Sequence, residues 1–212
     1  MRLEKASYKA IKYACLNFHY AKAVPVNVFG YSVFNDKNDW CGVILYGSGA
    51  NKNLGKEYLL NQGQYLELVR VALNSKQEIT SKALAISLKL IKKDLPLVKL
   101  IISYADKDQN HFGIIYQATN WIYQGDVKSN LFYKVNGKLY HSRSIFKKGI
   151  SRIEYAKKLD KNAEIIESDG KIKYIYPIDK SLIPLCKSLA KPYPKKELNA
   201  QIEKGISSDI PV

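Results

Sequence analysis

Apolar and polar positions along this chain repeat with two different periods, and the switches between them predict its elements. Residues 5–22 repeat at helical spacing: Ile11, Ala14, Cys15 and Phe18 share one face, Lys5, Lys9 and Lys12 lie elsewhere, and the segment stops before Pro25. Two runs of strand character follow, Val26 to Asn35 and Asp39 to Tyr46, joined by the short polar connection Asp36-Lys37-Asn38 that suits an antiparallel hairpin. Gly42 inside the second run signals a bulge or a close backbone approach. The glycines between Gly47 and Gly55 lack the GxxxxGK[ST] spacing of a Walker loop, so that stretch reads as a connection.

The organising pattern lies between Gly63 and Gly125. An apolar run (Tyr65 to Leu73), an amphipathic helix (Thr80 to Leu95, with Leu84, Leu88, Ile91 and Leu95 as its stripe) and a second apolar run (Leu97 to Ala105) make a βαβ unit. Such a unit sets its two strands parallel in one sheet, and ligands bind where parallel strands part. Beyond it, His111 to Asn120 reads as a short helix with Tyr116 and Asn120 at i and i+4. Asn136-Gly137 between Leu131–Val135 and Leu139–Ile145 is a type I′ hairpin signal. Ser151 and Glu154 form a capping box that opens a helix to about Ile166. Lys171 to Pro177 alternates basic and aromatic residues as a strand, and Leu182, Leu185 and Leu189 mark a last short helix. The fold class is therefore α+β with a mixed sheet: one domain over residues 1–191, followed by a loose proline-containing tail over 192–212.

Charge narrows the partners. The formal net charge is +15, with 34 Lys and Arg against 19 Asp and Glu, which predicts an electropositive surface suited to phosphate-rich partners, nucleic acid first. Only four of the basic residues are arginine, so lysine used for solubility is the alternative. No run of about 18 apolar residues occurs and the first residues carry no signal-peptide core, so no membrane and a cytoplasmic location are expected. Cys15, Cys41 and Cys186 are odd in number and in no metal-ligand pattern, which predicts reduced, buried thiols.

The candidate chemistry sits around the βαβ unit. The connection Asn74 to Ser81 leads into the helix, with Thr80 or Ser81 as N-cap and free amides that attract a pyrophosphate. Asp106 at the end of the second strand is placed to accept a proton from an amine or orient it, and Tyr116 to donate to a leaving thiolate. The competing reading is that Asp106 caps a turn and Tyr116 packs in the core. His19, near a helix C-terminus, is either a capping side chain or a base. His141-Ser142-Arg143-Ser144 on the hairpin suits phosphate, or is an ordinary polar strand face.

The element order resembles the GNAT acyltransferase fold, extended by a C-terminal hairpin and helix. More narrowly, several phrases resemble the phage Mom family of DNA adenine modification proteins: Phe18-His19-Tyr20, Leu68-Val69-Arg70, Ile102 to Asp106, and above all His111-Phe112-Gly113 with Ile115 to Trp121 and Tyr123-Gln124-Gly125. His141 to Ser144 and Lys173 to Pro177 are also similar to it.

The resemblance implies an enzyme that adds a carbamoylmethyl or acyl-type group to N6 of adenine in double-stranded phage DNA, protecting it from restriction, in the cytoplasm of an infected or prophage-carrying cell. The donor is acetyl-CoA or another acyl-type molecule, with Asn74, Thr80, Ser81 and Asn120 as its expected contacts. Iron has been associated with the family, with His19 and Asp106 as the residues to examine. Asp106, with His19 as alternative, is the expected base and Tyr116 the expected acid. Tyr20, Tyr104 and Trp121 would stack on an extruded base, Arg70, His141 and Arg143 would contact DNA, and His111 has either a site role or a local turn hydrogen bond. The chain departs from the GNAT pattern in lacking the Gln/Arg-x-x-Gly-x-Gly/Ala loop and in carrying Glu78 where similar proteins often have Asn. The rival functions are a GNAT acetyltransferase acting on a protein or small-molecule amine, and a non-catalytic DNA-binding protein.

Overall fold

A computed structural model describes residues 1–49, 51–127, 131–142 and 144–193. Seven strands form one sheet in the order β1-β2-β3-β4-β5-β10-β6: β1 (Arg2–Lys5), β2 (Val28–Phe34), β3 (Trp40–Gly47), β4 (Tyr65–Leu73), β5 (Leu100–Asp106), β10 (Lys171–Pro177) and β6 (Ile122–Val127). A smaller sheet has the order β8-β7-β9, from β7 (Leu131–Val135), β8 (Lys138–His141) and β9 (Glu164–Glu167). The helices are α1 (Tyr8–Asn17), α2 (Thr80–Asp94), α3 (Ile114–Gln117), α4 (Arg152–Leu159) and α5 (Ile183–Ser188). The expected single stretch 1–191 contains two compact units. One holds Met1–Tyr104, Gly113–Gly125 and Lys173 onward; the other holds Ala105–Phe112 and Asp126–Ile172.

In the first unit the N-terminal helix is shorter than its periodicity predicts. Residues 2–5 pair antiparallel with β2, from Arg2 opposite Phe34 to Lys5 opposite Tyr31, so the helix cannot begin before the strand ends. Ser7 caps it, its Oγ accepting from the Ala10 N–H at 3.2 Å. Ile11, Ala14 and Cys15 then pack on Val43, Leu45 and Ala72 of the sheet. Both readings of Gly42 hold. Val33 pairs Gly42 and Phe34 pairs Trp40, which leaves Cys41 as the extra residue of a bulge, and a Cβ on Gly42 would lie 2.1 Å from the Ala72 carbonyl oxygen.

The βαβ unit forms as its pattern predicts, with β4 matching the apolar run end to end. Parallel pairing of β4 with β5 runs from Tyr65–Leu100 to Leu68–Ser103 and stops there, although β4 continues to Leu73 along β3. The cause is a second bulge: Leu45 pairs Arg70 and Tyr46 pairs Leu68, leaving Val69 unmatched. A bulge bends its strand, and here it carries β4 away from β5. Ala83, Leu84, Ser87, Leu88 and Ile91 of α2 are buried, and Tyr46 and Ser87 share a 2.7 Å hydroxyl bond beneath it. Neither Thr80 nor Ser81 is the N-cap; Ile79 occupies that position, and Thr80 Oγ1 instead accepts from Gln77 Nε2 at 2.9 Å. A further core cluster joins Tyr58, Tyr65, Leu100, Ile102 and Ile175 to Cys186 of α5.

In the second unit Asn136 (φ 49°) and Gly137 (φ 73°) make the left-handed turn that the Asn-Gly pair demands. The second hairpin strand stops at His141, and Ile145 turns inward to pack with Tyr133, Val135, Ala156 and Ala163. Ser151 caps α4 as expected, but the helix ends at Leu159 rather than near Ile166. Asp160 stops it: in extended backbone, its carboxylate accepts from the N–H groups of Asn136 (2.7 Å) and Asn162 (2.9 Å), which hold its pKa below the usual carboxylate value. Residues 164–167 then pair antiparallel with β7.

Candidate functional site

The point where β4 and β5 part is marked by a hydroxyl pair. Ser103, the last β5 residue paired with β4, is 1% exposed, and its Oγ lies 3.1 Å from the Leu68 carbonyl and 2.9 Å from the Tyr116 hydroxyl. Ser103 has one proton and two acceptors within reach. Given to Leu68, that proton leaves Tyr116 to donate to Ser103; given to Tyr116, it stabilises a phenolate. Burial pushes the Tyr116 pKa up, with the Ser103 bond opposing it in part, so the phenol is protonated at neutral pH and suited to donating a proton.

Tyr116 reaches the fork because α3 starts directly after Gly113, whose φ of 80° is left-handed and whose missing Cβ makes room for a ring. A Cβ there would lie 2.2 Å from Cε2 of Tyr174. Tyr174 lies 5.0 Å from the Tyr116 ring, receives a hydrogen bond from Gln117 Nε2 at 3.2 Å, and has its own pKa pushed up to about 12, chiefly by burial. Trp121, 5.0 Å from Tyr116 and 5.7 Å from Tyr176, is 1% exposed, and its buried indole N–H meets no hydrogen-bond acceptor among the described residues. The hydroxyl of Tyr193 closes the cluster by donating to the Trp121 carbonyl. Arg70 stands on β4 just past the fork, with Nη1 donating to the Val69 carbonyl at 2.9 Å and a buried Nε without a partner among the described residues.

The remaining sequence candidates divide among other places. His19 is 8% exposed at the end of α1, its Nδ1 accepting from the Ala21 N–H at 3.1 Å and its ring 4.2 Å from that of Tyr20. That bond places the proton of the neutral imidazole on Nε2. Tyr104 packs against the Tyr58–Ile175 core, which raises its pKa to about 12 through burial first and Glu67 and Glu57 second. In the second unit, Asp106 caps the turn Lys107–Gln109, its Oδ1 accepting from Asp108 N–H at 3.2 Å, and its carbonyl accepts from the His111 N–H at 3.0 Å. His141 sits edge-on to Phe132 at 5.4 Å. Arg143 lies outside the described residues, as does most of the expected tail.

The four cofactor candidates are not brought together. Asn74 is held by Trp40 and Lys76 near β3, while Thr80 and Ser81 start α2. The i, i+4 relation of Tyr116 and Asn120 does not hold, because α3 ends at Gln117 and Asn120 has a φ of 59°. Asn120 instead lines a cavity of about 470 Å³ with Lys89, Lys92, Lys180 and Lys187, beside the far half of α2. Thr80 and Lys92 are twelve residues apart on that helix, roughly 18 Å along its axis. Glu78, at the departure from the GNAT pattern, accepts from the Asp36 N–H at 2.7 Å and so ties the approach to α2 to the β2–β3 turn.

The described residues do not fit an iron centre. No group of three or more His, Cys, Asp or Glu gathers among them. Cys15, Cys41 and Cys186 are buried and unbridged, and burial raises each thiol pKa, that of Cys186 to about 11. Sequence reasoning missed Ser103 and Tyr174 as partners of Tyr116, and Gln117 as the donor to Tyr174. Ser103 is the one serine in an otherwise largely apolar strand, and the Lys173-Tyr174-Ile175-Tyr176 alternation was the available signal for the rings. Among the described residues, no helix is long and apolar enough to cross a membrane.

Comparison with known proteins adds the lineage. A solved spermidine N-acetyltransferase, the SpeG K23-Y30 chimera from Vibrio cholerae and hSSAT, superposes with a TM-score of 0.48 at 8% identity, over 86% of this chain and 99% of its own. The methylcarbamoylase mom of Escherichia phage Mu is 30% identical over 169 residues, which span 76% of this chain and 69% of that relative. The Mom protein family matches residues 1–195, and with this length of agreement the chain belongs to the Mom protein family.

Proposed function

We propose that this protein is a DNA-modifying transferase that adds a carbamoylmethyl or acyl-type group to N6 of adenine, on a GNAT-like catalytic domain spanning residues 1–191. Membership in the Mom family supports the reaction, and the methylcarbamoylase of phage Mu gives its type. The net charge of +15 suits a phosphate-rich substrate. The carrying observation in the molecule is the protonated Tyr116 hydroxyl bonded to Ser103 where β4 and β5 part.

The chemistry needs such a group. The lone pair of adenine N6 is delocalised into the ring, so as the N6–carbon bond forms the amine must give its proton to a base, the role that the family resemblance implies for Asp106 with His19 as alternative. With a thioester donor such as acetyl-CoA, the carbon–sulfur bond breaks at the same centre and the leaving thiolate must take up a proton. Tyr116 supplies it, and Ser103 then turns its own proton from the Leu68 carbonyl to the phenolate, which stabilises the charge left behind. A base inside a duplex is out of reach, so double-stranded DNA must present an extruded adenine. Modification by this route protects phage DNA from host restriction.

Total DNA from competent cells expressing the protein, digested to nucleosides and weighed by mass spectrometry, is expected to contain a heavier deoxyadenosine. An unchanged nucleoside profile rejects the reading. Asp106→Ala separately tests the proton-accepting role that the family resemblance implies for Asp106.

A further inference from the structure

A second aromatic site lies away from the fork, in the groove between α1 and the outer strands of the large sheet. It encloses about 800 Å³, within the range of small-ligand sites. Three rings meet there: Tyr13 and Phe18 at 5.6 Å, Tyr13 and Trp40 at 5.8 Å, Phe18 and Trp40 at 5.6 Å. Phe18 and Trp40 also pack against the core beneath α1, but packing does not account for Tyr13. Tyr13 is 54% exposed although it belongs to this cluster, and the adjacent outer face of α1 carries Tyr8, Lys12 and Leu16, all exposed. Lys5, Lys9 and Lys76 line the same groove with their side chains in solvent, while the one acidic lining residue, Glu4, is paired with Arg2.

We propose that this groove binds an unstacked base of locally opened DNA, with the flanking phosphates on Lys5, Lys9 and Lys76. Rings give every base a stacking face whatever its identity, and lysines meet the backbone as point charges; together they make a sequence-tolerant grip on single-stranded DNA. Charge complementarity selects DNA over an acidic protein only if a base is also read, and the open ring faces supply that reading. The inference rests on the DNA-modifying function proposed above, and it assigns this surface to holding the opened strand rather than to the chemistry.

Trp40 makes it testable, because the chain has two tryptophans and Trp121 is 1% exposed. Titration of the full chain with single-stranded oligonucleotide is expected to quench indole fluorescence, fully paired duplex to do so far less, and polyglutamate not at all. Trp40→Phe should remove the quenching. By anisotropy with a labelled oligonucleotide, Tyr13→Ala should weaken binding about tenfold, and Lys9→Glu and Lys76→Glu should each lower the salt slope by about 1. Tyr13, Lys9 and Lys76 are all exposed, and circular dichroism checks that each variant is folded. No quenching at concentrations where the oligonucleotide is bound, equal quenching by polyglutamate, or unchanged affinity in Tyr13→Ala overturns the proposal. Nucleoside mass spectrometry separates the two readings: modified adenine without Trp40 quenching sinks this one alone, and quenching with unmodified adenine sinks the enzymatic one alone.

Discussion

The fork of β4 and β5 and the groove beside α1 are both built of aromatic rings, yet they are opposites in solvation. At the fork, Tyr116, Trp121 and Tyr174 are buried and locked by Ser103, Gln117 and Gly113. In the groove, Tyr13 keeps half its surface in water and lysines stand around it. Burial holds a phenol protonated and fixes its position, which is what proton transfer requires. Exposure leaves ring faces open to a ligand, which is what stacking requires. A change at the fork should therefore alter folding or chemistry, and a change in the groove should alter affinity alone.

The largest expected effect comes from Gly113→Ala. The new Cβ meets the Tyr174 ring at 2.2 Å and the backbone is left-handed, so overpacking and strain act together. A destabilisation of about 3 kcal/mol is expected, lowering the midpoint of thermal unfolding by roughly 6–12 °C, with loss of modification. Retained stability and activity would break the claim that the fork is rigid. Next, Tyr116→Phe keeps the ring and removes the proton. Modification in a timed nucleoside assay should fall by roughly 10²-fold or more while the folded state persists, whereas a loss of fold without a specific loss of activity would return Tyr116 to packing.

The pH dependence of unfolding sharpens the comparison further. Cys186 has its folded pKa raised from 9.0 to about 11, and Tyr104 and Tyr174 from 10.0 to about 12, each mainly by burial. A raised folded pKa means that the native state holds its proton where the unfolded chain has released it. The stability these groups contribute is intact below about pH 9, falls between 9 and 11 through the thiol, and falls on to about 12 through the phenols. Denaturant titrations across pH 7–12 should show this onset, and a stability rising through that window would contradict the burial of these groups. The smallest effect on stability is expected for Tyr13→Ala, whose thermal midpoint should move little for an exposed site. A drop like that of Gly113→Ala would show that Tyr13 belongs to the core.

Much of this contrast was hidden in the sequence, for reasons that particular residues make plain. The βαβ unit and β10 were legible because long apolar or alternating runs leave one periodicity standing, and Asn136-Gly137 because few residue pairs accept two left-handed positions. β1 was not: Arg2–Lys5 is a charged four-residue edge strand that makes sense only beside β2. The extension of α4 failed because Asp160 satisfies turn amides instead of continuing the helix. Tyr116 was found through its motif, but the reason for its placement, the bulge at Val69 that ends the pairing at Ser103, depends on three strands at once. The groove escaped entirely, since Tyr13 and Trp40 come from different elements and each alone looks like an ordinary core residue.

The central claim is that the Tyr116 proton, poised on Ser103, serves transfer to adenine. Its most direct test is the side-by-side nucleoside mass spectrum of DNA exposed to the unchanged protein and to Tyr116→Phe at equal folded concentration. A heavier deoxyadenosine that is present with the first and nearly absent with the second is the predicted result; equal amounts with both proteins would contradict it.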